Sequence, residues 1–232
     1  MNRVLNAARL HLITGQVITI PWGIMASALA VNWVIFGLIQ ARVGANDNPS
    51  SGGLASLYVV VLVVFVQAMN KQFFFALGLS LTRRAFLMGT ALFALGLSFA
   101  SAGVLYALYG VERATGGWWM DLSFFGAWGL GDGNPVTAVL EYAAPMLALI
   151  TVGTLFGSIT ARWGVFGLFV SGILLLIVGG AFTVIMTYAE AWTSFGHWFT
   201  GQSTAALAAG YPWIIAAVLG AGTYLVVRRV AV

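Results

Sequence analysis

Cysteine is absent from the 232 residues, and lysine occurs once, at Lys71. The first absence excludes disulfides, thiol catalysis and cysteine-ligated metal, and it leaves the redox compartment open. Charge of either sign is scarce: ten basic and six acidic residues make up 7% of the chain. A soluble domain carries roughly a quarter charged residues. With 61% hydrophobic residues and a mean hydropathy of +0.97, the chain lacks the polar groups to cover a water-facing surface. That surface must face lipid instead.

Several motifs are missing too. A phosphate-binding loop needs a lysine followed by Ser or Thr to reach phosphates and magnesium, and Lys71 is followed by Gln72. There is no HExxH and no GxSxG. His11 and His197 fall at opposite ends of the topology read below, so they cannot share a metal. No convergent set of ionisable groups suggests a membrane enzyme, and neither a catalytic residue nor a bound cofactor is expected in this chain. The net charge of +4 does not point to nucleic acid, because the basic residues scatter at the ends of apolar runs.

What is present is a series of six apolar runs, at roughly 17–39, 54–71, 85–109, 135–159, 164–187 and 207–228. Each is too long and too uniformly apolar for a barrel strand, so each reads as a helix. The expected fold is a single all-α, polytopic domain over 1–232. The first run is too long for a signal-peptide core and lacks a convincing cleavage site. The connections at 110–134 and 188–206 are rich in aromatics: Trp118, Trp119, Phe124, Phe125 and Trp128 in one, Trp192, Phe195, His197, Trp198 and Phe199 in the other. Aromatic rings favour the membrane–water interface, so short interfacial or re-entrant helices are expected at the outer leaflet.

With the N-terminus inside, eight basic residues fall on the cytoplasmic side: Arg3, Arg9, Lys71, Arg83, Arg84, Arg162, Arg228 and Arg229. Only Arg42 and Arg113 fall outside. All six acids (Asp47, Glu112, Asp121, Asp132, Glu141 and Glu190) lie outside or near the outer edge of a span. The basic bias sets orientation, so both termini are expected in the cytoplasm. Residues 2–14 carry Val4, Leu5, Ala8 and Leu12 on one helical face and Arg3, Asn6 and Arg9 on another. That pattern predicts an amphipathic helix on the inner surface.

Polar residues inside spans cost energy in lipid and should face a partner or a cavity. Glu141, with Tyr142 beside it, is a candidate for an outward vestibule or a substrate pathway; a hydrated interfacial carboxylate is the plainer reading. Asn32, Gln67 and Asn70 could bond between helices or meet substrate. Gly153 and Gly157 form a GxxxG, a spacing that lets helices approach closely, more often within a subunit than between subunits.

The segment from Lys71 to Gly89 reads KQFFFALGLSLTRRAFLMG. Phe73, Phe74 and Phe75 predict an apolar patch at the cytoplasmic surface on a short helix that a partner groove could grip. Gly78 and Ser80 permit a tight turn, and Arg83 and Arg84 re-enter the interface. An ordinary anchored loop is the alternative.

This segment resembles the loop between the second and third spans of type-2 ABC (ATP-binding cassette) transporter permeases. The resemblance is carried by an aromatic stretch and a G-x-S/T-x-x-R-R/K-x-F arrangement. Here these are Gly78, Ser80, Arg83, Arg84 and Phe86, one residue looser than the tightest form. The layout is similar as well: an amphipathic N-terminal helix, six spans, both termini inside, and aromatic re-entrant helices between the last two spans. The resemblance implies a coupling helix formed by Phe73–Phe75, Gly78, Ser80, Arg83, Arg84 and Phe86. It implies a partner ATPase subunit that supplies ATP and Mg chemistry in trans, and a homodimer or a pairing with a similar permease through the first and fifth spans. It also implies a bacterial cell membrane as location. The expected activity is outward movement of a hydrophobic or amphipathic solute, such as a drug, antibiotic, peptide or lipid. The alternatives are a non-transporting assembly or immunity subunit, and a six-span substrate-capturing subunit of an importer.

Overall fold

The computed structural model describes residues 3–13, 15–43 and 49–228. Asp47 and Arg229 of the charge count, and Asn2 and Thr14 of the predicted amphipathic segment, lie outside them. All regular elements among the described residues are helical: α1 (Arg3–Leu10), α2 (Gln16–Val43), α3 (Ala55–Gly78), α4 (Arg83–Ala114), α5 (Pro135–Tyr188), α6 (Trp192–Thr200) and α7 (Tyr211–Val227), with short helical turns between them. Five stretches are long and apolar enough to cross a membrane: α2, α3, α4, α5, and α7 together with the helical turn before it, Ala206–Val227.

The fourth and fifth predicted runs both fall in α5. At about 1.5 Å per residue its 54 residues would reach ~80 Å, more than twice a ~30 Å hydrocarbon core. The helix is broken at Gly164, whose φ of 66° and ψ of −162° are not helical. Only glycine takes such a backbone without strain, so the sequence marks the break between an inner limb, 135–163, and a distal limb, 165–188.

Helix starts follow local chemistry. Thr82 accepts the Ala85 N–H with its hydroxyl and opens α4. The Asn134 side chain accepts from Val136 and Thr137, and Pro135 follows at the first helical position of α5. Both caps satisfy donors that have no partner inside the helix.

The inner limb of α5 lies at the centre, packed on α3, α4 and α7. Its GxxxG makes this possible. A Cβ on Gly153 would lie 2.5 Å from the Leu62 carbonyl oxygen, and one on Gly157 would lie 2.6 Å from the Met69 Cβ. The small pair therefore brings α5 against α3 within one chain. The core that results runs from Leu57, Val61 and Phe65 on α3 through Leu105 on α4 to Tyr142, Met146 and Ile150 on α5. The distal limb of α5 is different: residues 173–185 are all exposed.

The N-terminal helix forms, and the face that packs on the protein is not the one carrying its large apolar residues. Leu5 and Leu12 are exposed, whereas Ala7 and His11 are buried. Gly89 is the reason. A Cβ there would lie 2.5 Å from the Ala7 Cβ and 2.8 Å from the Ala8 nitrogen and the Val4 oxygen. The backbone of α1 rests directly on α4, so the smallest side chains of α1, and not the largest, turn inward.

Candidate functional site

The end of the molecule expected to face the cytoplasm, called the inner end below and the opposite one the outer end, is the turn between α3 and α4. The segment does not form a separate short helix, as expected, but continues α3 to Gly78. Only Leu79–Thr82 separate the two helices. The Leu79, Ser80 and Leu81 amides donate back to Phe75, Leu77 and Ala76 carbonyls at 3.0–3.1 Å. The reversal falls on Ser80, with φ 59°. Gly78 is an ordinary helical residue with open space around it, so the turn does not depend on it.

The three phenylalanines do not make one patch. Successive residues on a helix point about 100° apart, and the triplet divides accordingly. Phe73 is buried beneath the turn, edge-on to Phe86 at 5.6 Å, in a cluster with Met69, Ala76 and Val227. Phe74 and Phe75 remain 46% and 56% exposed, and Leu79 is 54% exposed. Arg83 donates from Nη1 to the Arg228 carbonyl at 3.2 Å, which ties the start of α4 to the end of α7. Arg84 is exposed. The inner end is thus an apolar tip of Phe74, Phe75 and Leu79, beside a cation and backed by a packed floor.

The outer end is built on buried carboxylates. Glu112, in the last turn of α4, is 4% exposed. Its Oε2 accepts from the Trp118 indole at 3.0 Å and from the Phe124 and Phe125 amides at 3.0 and 2.9 Å; its Oε1 accepts from the Gly126 amide at 2.9 Å. One side chain therefore holds the whole connection between α4 and α5. Gly126 is needed because a Cβ there would lie 2.7 Å from the Tyr109 ring.

Glu141 plays a smaller part of the same kind. It is buried, and its Oε2 accepts the Gly131 amide at 3.0 Å. This carboxylate, a candidate for a vestibule or substrate pathway, is held against the loop within the chain. Tyr142, expected on a substrate pathway, is fully buried and donates to the Phe125 carbonyl at 2.9 Å. Its own carbonyl accepts from the Tyr58 hydroxyl. Tyr109 donates to Asp132.

The first outer connection joins this knot. The Ser51 amide donates to the Ser123 carbonyl at 2.9 Å, its hydroxyl donates to Asn32 Oδ1 at 2.6 Å, and its own Oγ accepts the Gly53 amide at 3.0 Å. Asn32 in turn donates to the Ala28 carbonyl, so it anchors a loop. Gln67 is exposed and Asn70 half-buried, both near the inner end of α3; the structure does not bring them together with Asn32, Glu141 and Tyr142.

The loop aromatics also divide. Phe124 and Phe125 are fully buried core residues, while Trp119 and Trp128 are 76% and 69% exposed. The 110–134 connection contains turns with Trp118, Trp119 and Trp128 at positive φ, not the expected interfacial α-helices. In 188–206 a short helix, α6, does form.

Glu112, Tyr109 and Asp132 are the residues that sequence reading missed as a group. Glu112 stood among the outer acids, where a solvated carboxylate is the ordinary case. The one sequence signal was its place before a loop dense in glycine and aromatics, which needs a buried acceptor for its amides.

No protein-family model matches the chain, and no curated protein or solved structure matches it either. The fold itself defines the class: a helical membrane protein with several apolar helices long enough to span.

Proposed function

We propose that the chain is the membrane-embedded permease subunit of an ATP-driven exporter, working with a cytoplasmic ATPase subunit and paired with a second permease. In this reading α2, α3, α4, the two limbs of α5 and α7 make six crossings, with both termini in the cytoplasm of a bacterial cell. ATP and Mg belong to the partner. The cargo is an amphipathic or hydrophobic solute, in keeping with few charges in the spans.

The observation that carries the reading is the inner tip. Phe74, Phe75 and Leu79 are exposed at a four-residue turn between basic residues, over a floor of buried Phe73 and Phe86. An exposed aromatic on a rigid turn suits a groove in a partner. One such anchor contributes about 2 kcal/mol, roughly a thirtyfold change in affinity.

The test is co-purification with an ATPase subunit encoded beside this chain. Phe74→Ala and Phe75→Ala should leave insertion intact, and one of them should release the ATPase and abolish transport-stimulated hydrolysis. Full ATPase association and export in the double variant would sink the reading and favour a non-transporting scaffold. Orientation is read separately. The chain has no cysteine, so Ser80→Cys should label only from inside, and Trp119→Cys and Thr200→Cys only from outside.

A further inference from the structure

Lys71 lies about one helical turn before Phe74 and Phe75 on α3, where the chain passes α2. With Gln67 and Gln72 of α3 and Gln16 of α2 it lines a crevice of about 120 Å3 between the two helices. The rest of the lining, including Val17 and Val64, is apolar. The crevice is therefore divided: one cation and three amides toward the helix ends, aliphatic side chains further along. Among the described residues no carboxylate lines it. The carbonyl end of Gln72 is buried without a hydrogen-bond donor; as an acceptor it suits a headgroup hydroxyl and not a phosphate oxygen.

We propose that this crevice binds an anionic phospholipid. The phosphate would sit on Lys71, supported by amide N–H groups of the glutamines, and the start of an acyl chain would lie on Ile20 and Val64. The inner position of the site rests on the orientation argued above. A lone lysine at a membrane surface is ordinarily a diffuse attractor. Here it is paired with a recess whose apolar part matches a lipid tail, and a soluble phosphate would leave that part unfilled.

The full chain in phosphatidylcholine bilayers, probed with spin-labelled phosphatidylglycerol and spin-labelled phosphatidylcholine, tests this. Wild type should immobilise the anionic probe in preference to the neutral one. Lys71→Gln should lower that preference about fivefold, about 1 kcal/mol, and Lys71→Arg should retain most of it. Arg84→Gln removes the same charge from an exposed inner position and should change little. Inorganic phosphate should not displace the probe. The proposal is overturned if wild type shows no preference, if Arg84→Gln lowers it as much as Lys71→Gln, or if free phosphate competes fully. These outcomes do not depend on the ATPase, so they are separable from failure of the exporter reading.

Discussion

The two ends of this molecule are built by opposite means. At the outer end, buried carboxylates at Glu112 and Glu141 collect backbone amides from a long connection and leave few polar groups unspent. At the inner end, four residues join α3 to α4, and apolar rings remain exposed over a packed floor. A buried carboxylate with four donors organises a loop from within and resists opening. An exposed ring on a short turn has nothing further to gain inside its own chain. The contrast gives one end a fastening role and leaves the other free for the docking proposed above.

Removing Glu112 is the largest test of that division. Glu112→Ala would leave three amides and an indole without an acceptor, at about 1–3 kcal/mol for each group left unsatisfied. Thermal melting in detergent should fall sharply, and proteolysis should cut first in residues 116–130. Glu141→Ala, which frees one amide, should cost far less. Equal and small losses in the two variants would dissolve the distinction.

The inner floor comes next. Phe73→Ala should destabilise by about 3–5 kcal/mol, as expected for a buried aromatic. Phe74→Ala and Phe75→Ala should leave the melting temperature nearly unchanged while one of them loses about 2 kcal/mol of partner binding. A melting loss shared evenly among all three would mean that the triplet is not divided.

His11 links the inner end to α1. It stacks on Phe93 at 5.0 Å and meets the Thr90 hydroxyl at 3.0 Å, with Phe65 and Phe86 nearby. Burial pushes its pKa from 6.5 down to about 4. The folded state therefore favours the neutral ring. Its contribution is full above pH 6.5 and is lost as pH falls toward 4, on the order of 3 kcal/mol in all. Amides of α1 should exchange faster across that window, and His11→Phe should flatten the dependence.

The smallest expected effect is at the α1–α4 contact. Gly89→Ala should cost about 1–3 kcal/mol through overpacking, seen as faster exchange in α1 with α3 to α5 unchanged. Normal protection of α1 in this variant would mean that the close approach at Gly89 is dispensable.

Much of the fold was legible in the residues. Apolar runs and the GxxxG both depend on side chains that act through composition or short spacing. The break at Gly164 was legible as the gap between two runs. The site was less so. The phenylalanine triplet was visible as a patch, yet its division into one floor residue and two exposed ones needed the direction of α3. Glu141 looked like an intramembrane carboxylate in search of water, and its partner was an amide ten positions earlier, at Gly131.

By itself the sequence determined a helical membrane protein, where its long apolar helices begin and end to within several residues, and that an N-terminal helix precedes them. Those outcomes follow from the cost of polar groups in lipid, which each stretch of chain meets locally. The tertiary structure alone decided which face of α1 is buried, which phenylalanine is exposed, and that Glu112 holds the outer connection together. Each of these rests on where a distant backbone group arrives, and no local pattern of residue types specifies that.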